Sequence, residues 1–150
     1  MWWIYQILAA LALLAAGPWL LLLRRRHYLP TVRGNFANLG QVALNIIENA
    51  VEAFEKKPGR IQVGTRFDAA RERVCFYVTD NGPGIPADVL ANIFHPFYTT
   101  KRVGVGTGLG LYISYEIVKK HGGEIVVETE VGKGTTFRVE LPIGSAIVES

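Results

Sequence analysis

The first part of the chain is an uncharged apolar run that ends at consecutive arginines. From Trp2 to Leu23 there is no charged residue, and leucine and alanine dominate. As a helix this run would be ~33 Å long, which matches the hydrocarbon core of a bilayer. Residues 24–26 are all arginine, and positive residues favour the cytoplasmic side. The pattern predicts a single transmembrane helix over residues 1–23, with the rest of the chain in the cytoplasm.

A cleaved signal peptide and a buried core helix are the alternative interpretations of this run. A signal peptide carries its basic residues before the apolar run, whereas here they follow it. A core helix would have to bury an apolar surface on every side. We therefore expect an anchor in the inner (cytoplasmic) membrane and a basic juxtamembrane linker over residues 24–28. The net charge of +3 comes partly from the arginines, so nucleic acid is not expected as a partner.

The remainder of the chain mixes helical and extended patterns. Apolar residues at helical spacing alternate with short apolar strands that are separated by turn residues. The order is not the strand–helix alternation of a doubly wound fold, and it favours an antiparallel or mixed sheet with helices on one face. The single cysteine, Cys75, lies in an apolar strand, which favours a buried, unreactive thiol. We predict helices over residues 38–54, 86–92 and 108–121, strands over 60–67, 73–79, 124–130 and 135–141, and a loose tail over 143–150.

Two glycine-rich turns precede predicted helices. The first is Asp80-Asn-Gly-Pro-Gly-Ile85, and the second is Gly104-Val-Gly-Thr-Gly-Leu-Gly-Leu111. Glycine permits positive φ and close backbone approach, so such turns can direct N–H groups at phosphate oxygens. A helix that begins at the second turn adds the positive end of its dipole. Each turn alone is weak evidence, because an ordinary tight turn has the same glycine pattern, and the P-loop spacing is absent.

Several polar side chains lie near these turns. Asn45 and Asn49 are four residues apart on one predicted helix, so they share a face. Their amide oxygens are suitable ligands for Mg²⁺, and structural hydrogen bonds to a neighbouring loop are the alternative. Asp80 ends a strand, where its carboxylate can accept a hydrogen bond from an exocyclic amino group or cap its own turn. Lys101 can reach phosphate or remain solvated.

Five segments of the chain follow one another in a fixed order: Gln41–Ala50, Asp80–Gly84, Phe94–Lys101, Gly106–Leu111 and Gly132–Phe137. Together they resemble the N, G1, F, G2 and G3 boxes of sensor histidine kinases. The resemblance is to the catalytic, ATP-binding domain of these kinases, of the Bergerat-type GHKL superfamily, and it covers residues 29–142. It implies a two-layer α/β sandwich, with a mixed sheet and three helices on one face.

This resemblance implies ATP and Mg²⁺ as cofactors and assigns roles to individual residues. Asn49, with Asn45, would hold Mg²⁺ and the phosphates. Asp80 would take the adenine amino group, with Thr135 assisting through water. The remaining positions implied at the nucleotide are Gly82, Gly84, Ile85, Phe97, Lys101, Gly104, Gly106, Thr107, Gly108, Leu109 and Gly110.

The residue at position 45 separates this branch from its relatives. The related gyrase, Hsp90 and MutL ATPases are similar to this chain but have a glutamate at the position of Asn45, and that glutamate activates water. An amide cannot act as a base, so the resemblance implies that ATP is held for transfer and hydrolysed slowly. Glu48 is the nearby rival base, and it either faces elsewhere or polarises the acceptor. The residues implied in catalysis are therefore Asn45, Glu48 and Lys101.

A complete sensor kinase carries its phosphoacceptor histidine on a dimerising helical hairpin ahead of this domain. Here His27 lacks the context of that motif, and His121 is expected to be structural. We therefore expect the acceptor domain to be missing. We also expect the first strand of the family's sheet to be missing. The expected function is transfer of the γ-phosphate of ATP to a histidine on a partner domain, with a response regulator downstream and a homodimer as a further expectation. An ATP-binding regulatory module without transfer activity and a truncated kinase fragment are the alternatives.

Overall fold

The structure is a computed structural model, and it describes residues 32, 34–54, 58–101 and 106–144. These residues belong to the second of the two units into which the chain divides, Thr31–Ser150. The predicted transmembrane helix over 1–23, the linker over 24–28 and the tail from 145 onward lie outside the described residues. Within the described ranges, no helix is both long enough and apolar enough to cross a bilayer.

The helices and strands predicted over residues 38–141 all form in the predicted order, although their ends differ. The first helix begins earlier than predicted because the Asn35 side chain accepts a hydrogen bond from the Asn38 N–H at 3.1 Å and caps it. The second helix is shorter than predicted and begins directly after Pro86. The elements are α1 Phe36–Glu52, β1 Ile61–Asp68, β2 Arg73–Asp80, α2 Ala87–Leu90, α3 Gly110–Lys120, β3 Glu124–Glu130 and β4 Gly134–Pro142.

The described strands form one sheet with the order β1-β2-β4-β3. Both hairpins, β1–β2 and β3–β4, are antiparallel, and the central pair β2–β4 is antiparallel as well. Of the antiparallel and mixed sheets that the pattern allows, the antiparallel one is confirmed for the described residues, and the mixed sheet that the resemblance implies is wrong for them. A parallel pair needs a long crossover between neighbouring strands, and here two neighbouring pairs are joined by tight hairpins instead.

The core lies between the helices and one face of this sheet. Ile46 of α1 and Val118 of α3 are 0% exposed, and Val78 of β2 is 1% exposed. Partly buried Val89 and Leu90 of α2 pack against the same core, so the described helices contribute to one layer, as predicted. The other buried core residues are Val42, Ile47, Ala50, Ile93, Ile117, Phe137, Val139 and Leu141.

The opposite face of the sheet carries ion pairs. Cys75 lies opposite Glu140 in the β2–β4 register, and both are buried. Arg71 Nη1 lies 2.9 Å from Glu140 Oε2, which compensates the buried carboxylate. Burial raises the pKa of the Cys75 thiol, and the neighbouring Glu140 carboxylate raises it further. The thiol is thus buried, as predicted from the sequence.

The β1–β2 hairpin turns at the end of the sheet where Asp68 pairs with Arg73. The Asp68 carboxylate accepts hydrogen bonds from the Ala70 N–H at 3.0 Å and the Arg71 N–H at 3.1 Å. This local capping is the ordinary role of aspartate in a turn. The other end of the same pair of strands places Ile61 opposite Asp80.

His121 joins the end of α3 to the start of α1. Its Nε2 accepts a hydrogen bond from the Asn35 N–H at 3.2 Å, so the ring proton lies on Nδ1, which donates to the Ile117 carbonyl at 2.7 Å. The side chain is 5% exposed. A buried imidazole with both nitrogens engaged is a structural residue, as expected.

We expect Ile46→Ala to destabilise the fold by about 2–5 kcal/mol, because it removes a fully enclosed side chain from the core. Leu44→Ala is the matched control on the same helix, since Leu44 is 49% exposed. Its effect should stay within about 0.5 kcal/mol. Urea unfolding followed by circular dichroism measures both. Equal midpoints for the two variants would show that α1 does not pack as described.

Candidate functional site

Asp80 lies at the end of β2 with its side chain enclosed. It is 7% exposed, and its Oδ1 accepts a hydrogen bond from the Gly82 N–H at 2.8 Å. Part of the carboxylate thus caps its own turn, which was the alternative role considered for it. Within the described residues no hydrogen bond uses Oδ2. One oxygen of a largely buried carboxylate therefore remains available to an external donor.

A small hydroxyl network lies beside Asp80. Thr135 pairs with Asp80 in the β2–β4 register and is 5% exposed. Its Oγ1 lies 3.0 Å from Thr129 Oγ1, which also accepts a hydrogen bond from the Ile85 N–H at 2.8 Å. Sequence reasoning missed Thr129, although its position opposite Thr135 in the β3–β4 hairpin was the available signal. The network holds Asp80, Ile85 and Thr135 in one place.

Two close backbone approaches bring the turn after β2 against the β3–β4 hairpin. Gly84 has φ +72°, and a Cβ on it would lie 2.3 Å from the Glu130 carbonyl oxygen. Gly134 has φ +124°, and a Cβ there would lie 2.0 Å from the Asp80 carbonyl oxygen. The Gly132 N–H donates to the Pro83 carbonyl at 2.7 Å. Only glycine fits at the two crowded positions.

Asn45 attaches α1 to the first turn of α3. Its Nδ2 donates to the Gly110 carbonyl at 3.0 Å and to Ser114 Oγ at 3.1 Å. The Ser114 hydroxyl in turn donates to the same carbonyl at 2.9 Å. The Asn45 amide nitrogen therefore makes structural hydrogen bonds, which is the alternative to Mg²⁺ ligation that the sequence allows for this side chain. Its Oδ1 has no hydrogen bond among the described residues.

Lys101 reaches across to α1, where it contacts two residues. Its ammonium forms an ion pair with Glu52 and lies 3.5 Å from Asn49 Oδ1. The side chains of Lys101 and Glu52 are 34% and 48% exposed. Sequence reasoning missed Glu52, and its spacing of three residues from Asn49 was the signal that could have found it.

The glycine-rich segment before α3 packs on the backbone around Phe97. Gly108 has φ +66°, and a Cβ on it would lie 2.5 Å from the Phe97 carbonyl carbon. Phe97 itself has φ +64° and is 74% exposed. A positive φ at a phenylalanine is strained, and such strain is typical of functional sites. Gly104 lies outside the described residues.

The N-terminus of α3 has no side-chain cap, because Leu109 occupies the capping position. The first N–H groups of a helix have no partner within the helix, so an uncapped start presents them to an incoming anion. The preceding Leu109 N–H is bound by Thr107 Oγ1 at 3.3 Å. Gly110 faces Asn45, since a Cβ on it would lie 3.7 Å from Asn45 Cγ.

The predicted site residues thus form two groups that meet at the end of α1. A Cβ on Gly82 would lie 3.4 Å from the Ala53 Cβ. The turn after Asp80 therefore approaches the end of the helix that carries the asparagines. Glu48 belongs to neither group, because it is exposed on α1 and makes no described contact with either. One group contains Asp80, Gly82, Gly84, Ile85 and Thr135, and the other contains Asn45, Asn49, Phe97, Lys101, Gly106, Thr107, Gly108, Leu109 and Gly110.

The chain belongs to the family described as histidine kinase-, DNA gyrase B-, and HSP90-like ATPase, whose model matches residues 34–145. It is 47% identical over 124 residues to the sensor kinase CckA of Brucella abortus, covering 74% of this chain and 13% of the relative. It is 42% identical over 114 residues to sporulation kinase C of Bacillus subtilis, covering 76% and 26%. The chain therefore spans about a quarter or less of these relatives.

Solved structures of the same family have the same fold. The catalytic domain of histidine kinase ThkA, in a nucleotide-free form, is 35% identical with a TM-score of 0.64, covering 75% of this chain and 71% of that one. Full-length ShkA in complex with AMPPNP is 35% identical with a TM-score of 0.67, covering 80% and 24%. The resemblance to a histidine-kinase ATP-binding domain is confirmed, together with its α/β fold.

Gly134→Ala should be far more damaging than Gly132→Ala. Both residues have positive φ, but an added Cβ meets the Asp80 carbonyl at Gly134 and nothing within 4 Å at Gly132. We expect the Gly132 variant to lose about 1 kcal/mol from backbone strain alone and the Gly134 variant to lose several times more. Denaturant unfolding of both variants measures this difference. Similar losses would show that the turn after β2 is not seated on the β3–β4 hairpin.

Proposed function

We propose that this chain binds Mg²⁺-ATP and transfers the γ-phosphate to a histidine on a partner domain. The observation that carries the proposal is the pairing of two unlike ends in one site. A buried carboxylate with an unused oxygen lies at one end, and an uncapped helix start with a lysine and two amides lies at the other. This combination suits an adenine amino group and a triphosphate.

At the adenine end, Asp80 Oδ2 is the proposed acceptor for the exocyclic amino group. Gly82 and Gly84 are proposed to shape the pocket through their close packing against neighbouring residues, and Ile85 to supply an apolar surface for the ring. Thr135 lies opposite Asp80 in the register, and its hydroxyl is proposed to assist through water. A carboxylate in an enclosed site rejects a carbonyl oxygen, so this end favours adenine over guanine.

At the phosphate end, the first N–H groups of α3 are proposed to bind the phosphates, together with the backbone of residues 106–109. Positive φ at Gly108 and the absence of a side chain at Gly106 and Gly108 allow this close approach. The free Oδ1 of Asn45 and the Oδ1 of Asn49 are the proposed Mg²⁺ ligands, because Mg²⁺ prefers oxygen and retains water. Mg²⁺ would neutralise charge on the phosphates. Lys101 would contribute to phosphate binding.

Among the described residues no base is positioned for water, which favours transfer over hydrolysis. Asn45 cannot remove a proton, and its nitrogen is held by Gly110 and Ser114. Glu48 is exposed and makes no described contact with the two groups of site residues. A deprotonated acceptor from another domain would then meet the γ-phosphate without competition from activated water.

The acceptor is proposed to come from a partner domain, and a response regulator to receive the phosphate afterwards. His121 is unsuitable as an acceptor, because it is 5% exposed and both of its nitrogens are engaged. The relatives named as sensor kinases support a two-component system, and a homodimer is part of the proposal. The uncharged run over residues 2–23 and the arginines after it support an anchor in the inner membrane with this domain in the cytoplasm.

Asp80→Asn should reduce the preference for ATP over GTP by about tenfold or more, because an amide can donate to the guanine carbonyl that a carboxylate rejects. Asp88→Asn is the matched control, since Asp88 is exposed on α2 and outside the site. Titration calorimetry of the full chain with each nucleotide in excess Mg²⁺ measures the ratio. An unchanged ratio in the Asp80 variant would remove Asp80 from the adenine end.

Incubation of the full chain with γ-labelled ATP and a sensor-kinase phosphoacceptor domain should label that domain on histidine. Omission of Mg²⁺ or substitution of the acceptor histidine should abolish the signal. ATP binding without any transfer would instead favour the regulatory module that binds nucleotide only.

Separation of the same chain into membrane and soluble fractions, with and without residues 2–23, tests the proposed anchor.

A further inference from the structure

We propose that Lys101 is an internal substitute for the metal ion, held between Asn49 and Glu52 until Mg²⁺ arrives with the nucleotide. Glu52 is then a positioning residue for this site, and it sets how strongly ATP binding depends on Mg²⁺. The inference rests on the proposed function, because it concerns the same phosphate end.

The geometry places one cation between two oxygen ligands. The Lys101 ammonium is paired with the Glu52 carboxylate and lies 3.5 Å from Asn49 Oδ1. Asn49 and Glu52 are three residues apart on α1, so they lie on one face of the helix. An amide oxygen beside a carboxylate is also a donor set that Mg²⁺ accepts, directly or through its retained waters. The ammonium thus lies where a hard cation would be stable.

The charges of the site explain why such a substitute is useful. A carboxylate one turn from the phosphate-binding amide would repel a triphosphate, and the paired lysine cancels this repulsion. An ion pair as exposed as this one contributes little to stability, so its value to the fold is small. Its location beside Asn49 points to a role in the site.

Arrival of Mg²⁺ changes the balance of these contacts. A divalent charge held by Asn49 would attract the Glu52 carboxylate more strongly than an ammonium does, and it would repel the lysine. The flexible four-carbon stem of Lys101 would then let its charge leave α1 and turn toward the phosphates. No covalent bond forms or breaks in this exchange, in which Asn49 and Glu52 would hold Mg²⁺ in place of the ammonium.

The test is the metal dependence of ATP binding, expressed as the Kd in EDTA divided by the Kd in excess Mg²⁺. Titration calorimetry of the full chain gives both constants. Glu52→Gln frees Lys101 for the phosphates of metal-free ATP and removes a carboxylate that favours Mg²⁺, so the ratio should fall about threefold or more. Lys101→Met leaves the Glu52 carboxylate unpaired beside the triphosphate in EDTA, whereas Mg²⁺ neutralises that carboxylate and screens the phosphates. The loss of the lysine therefore costs more affinity in EDTA than in Mg²⁺, and the ratio should rise by about the same factor.

The opposite directions of these two changes separate the proposal from a merely structural ion pair. A structural role would change both Kd values equally and leave the ratio unaltered. Glu116→Gln is the charge-matched control, since Glu116 is exposed on α3. A ratio that both variants leave unchanged, or move in the same direction, overturns the proposal.

A second measurement keeps this inference separate from the proposed function. Methyl NMR of ¹³C-dimethylated lysines in the nucleotide-free chain reports on Lys101, whose signal is assigned by its absence in Lys101→Met. We expect that signal to move on Glu52→Gln and, in the unsubstituted chain, on addition of Mg²⁺ alone. If the chain bound no ATP, the proposed function would fail while these shifts still supported the exchange. A signal that responds to neither change would refute the exchange itself.

Discussion

The site depends on the packing of α1 against the sheet. Ile46 lies in the same enclosed core as Val78 of β2 and Val118 of α3, and all of them are almost wholly inaccessible to water. Because an α-helix turns by a fixed angle per residue, the residues of α1 that flank this buried stripe lie at the edge of the helical layer. Asn45 and Asn49 lie on that edge, so apolar burial determines where these amides point. The chemistry of the phosphate end is therefore an outcome of core packing.

Polar contacts at both ends hold α1 and α3 together. Asn45 binds the start of α3, and His121 at the end of α3 binds the backbone that leads into α1. These groups are wholly or partly buried, and leaving such donors or acceptors without partners costs more than an exposed contact gains. The two helices are thus held at a defined separation along their length. The uncapped N-terminus of α3 is in this way fixed beside Asn45.

Local patterns predicted the elements well, and they predicted tertiary consequences less well. Apolar periodicity gave every described helix and strand in order, because burial of one face is a local property of the sequence. The start of α1 was misplaced, since the Asn35 cap depends on a backbone conformation that periodicity does not encode. The mixed sheet came from the family resemblance and was wrong for the described strands. Pairing depends on which strands meet in space, and the sequence does not state that directly.

The candidate site shows the same division. The glycines and Asp80 were found from the sequence because turns and strand ends have local signatures. Glu52 and Thr129 were missed, since each gains its role from a partner far along the chain. Glu52 meets Lys101, and Thr129 joins Ile85 to Thr135. The free oxygen of Asp80 and the uncapped start of α3 depend on hydrogen-bond partners in the folded structure, so the sequence alone does not predict them.

The antiparallel register also gives the domain an attachment point for labels that lies far from the candidate site. The turn between Asp68 and Arg73 lies at the far end of the strand pair from Asp80, about 23 Å away at the usual rise of a strand. Its residues are capped locally by Asp68 and are not part of the nucleotide end. A fluorophore or a grafted peptide in this turn would sit clear of the ligand while remaining rigidly attached to the strand that carries Asp80. The domain is therefore suited to conversion into an optical sensor, read by energy transfer between this turn and a labelled nucleotide.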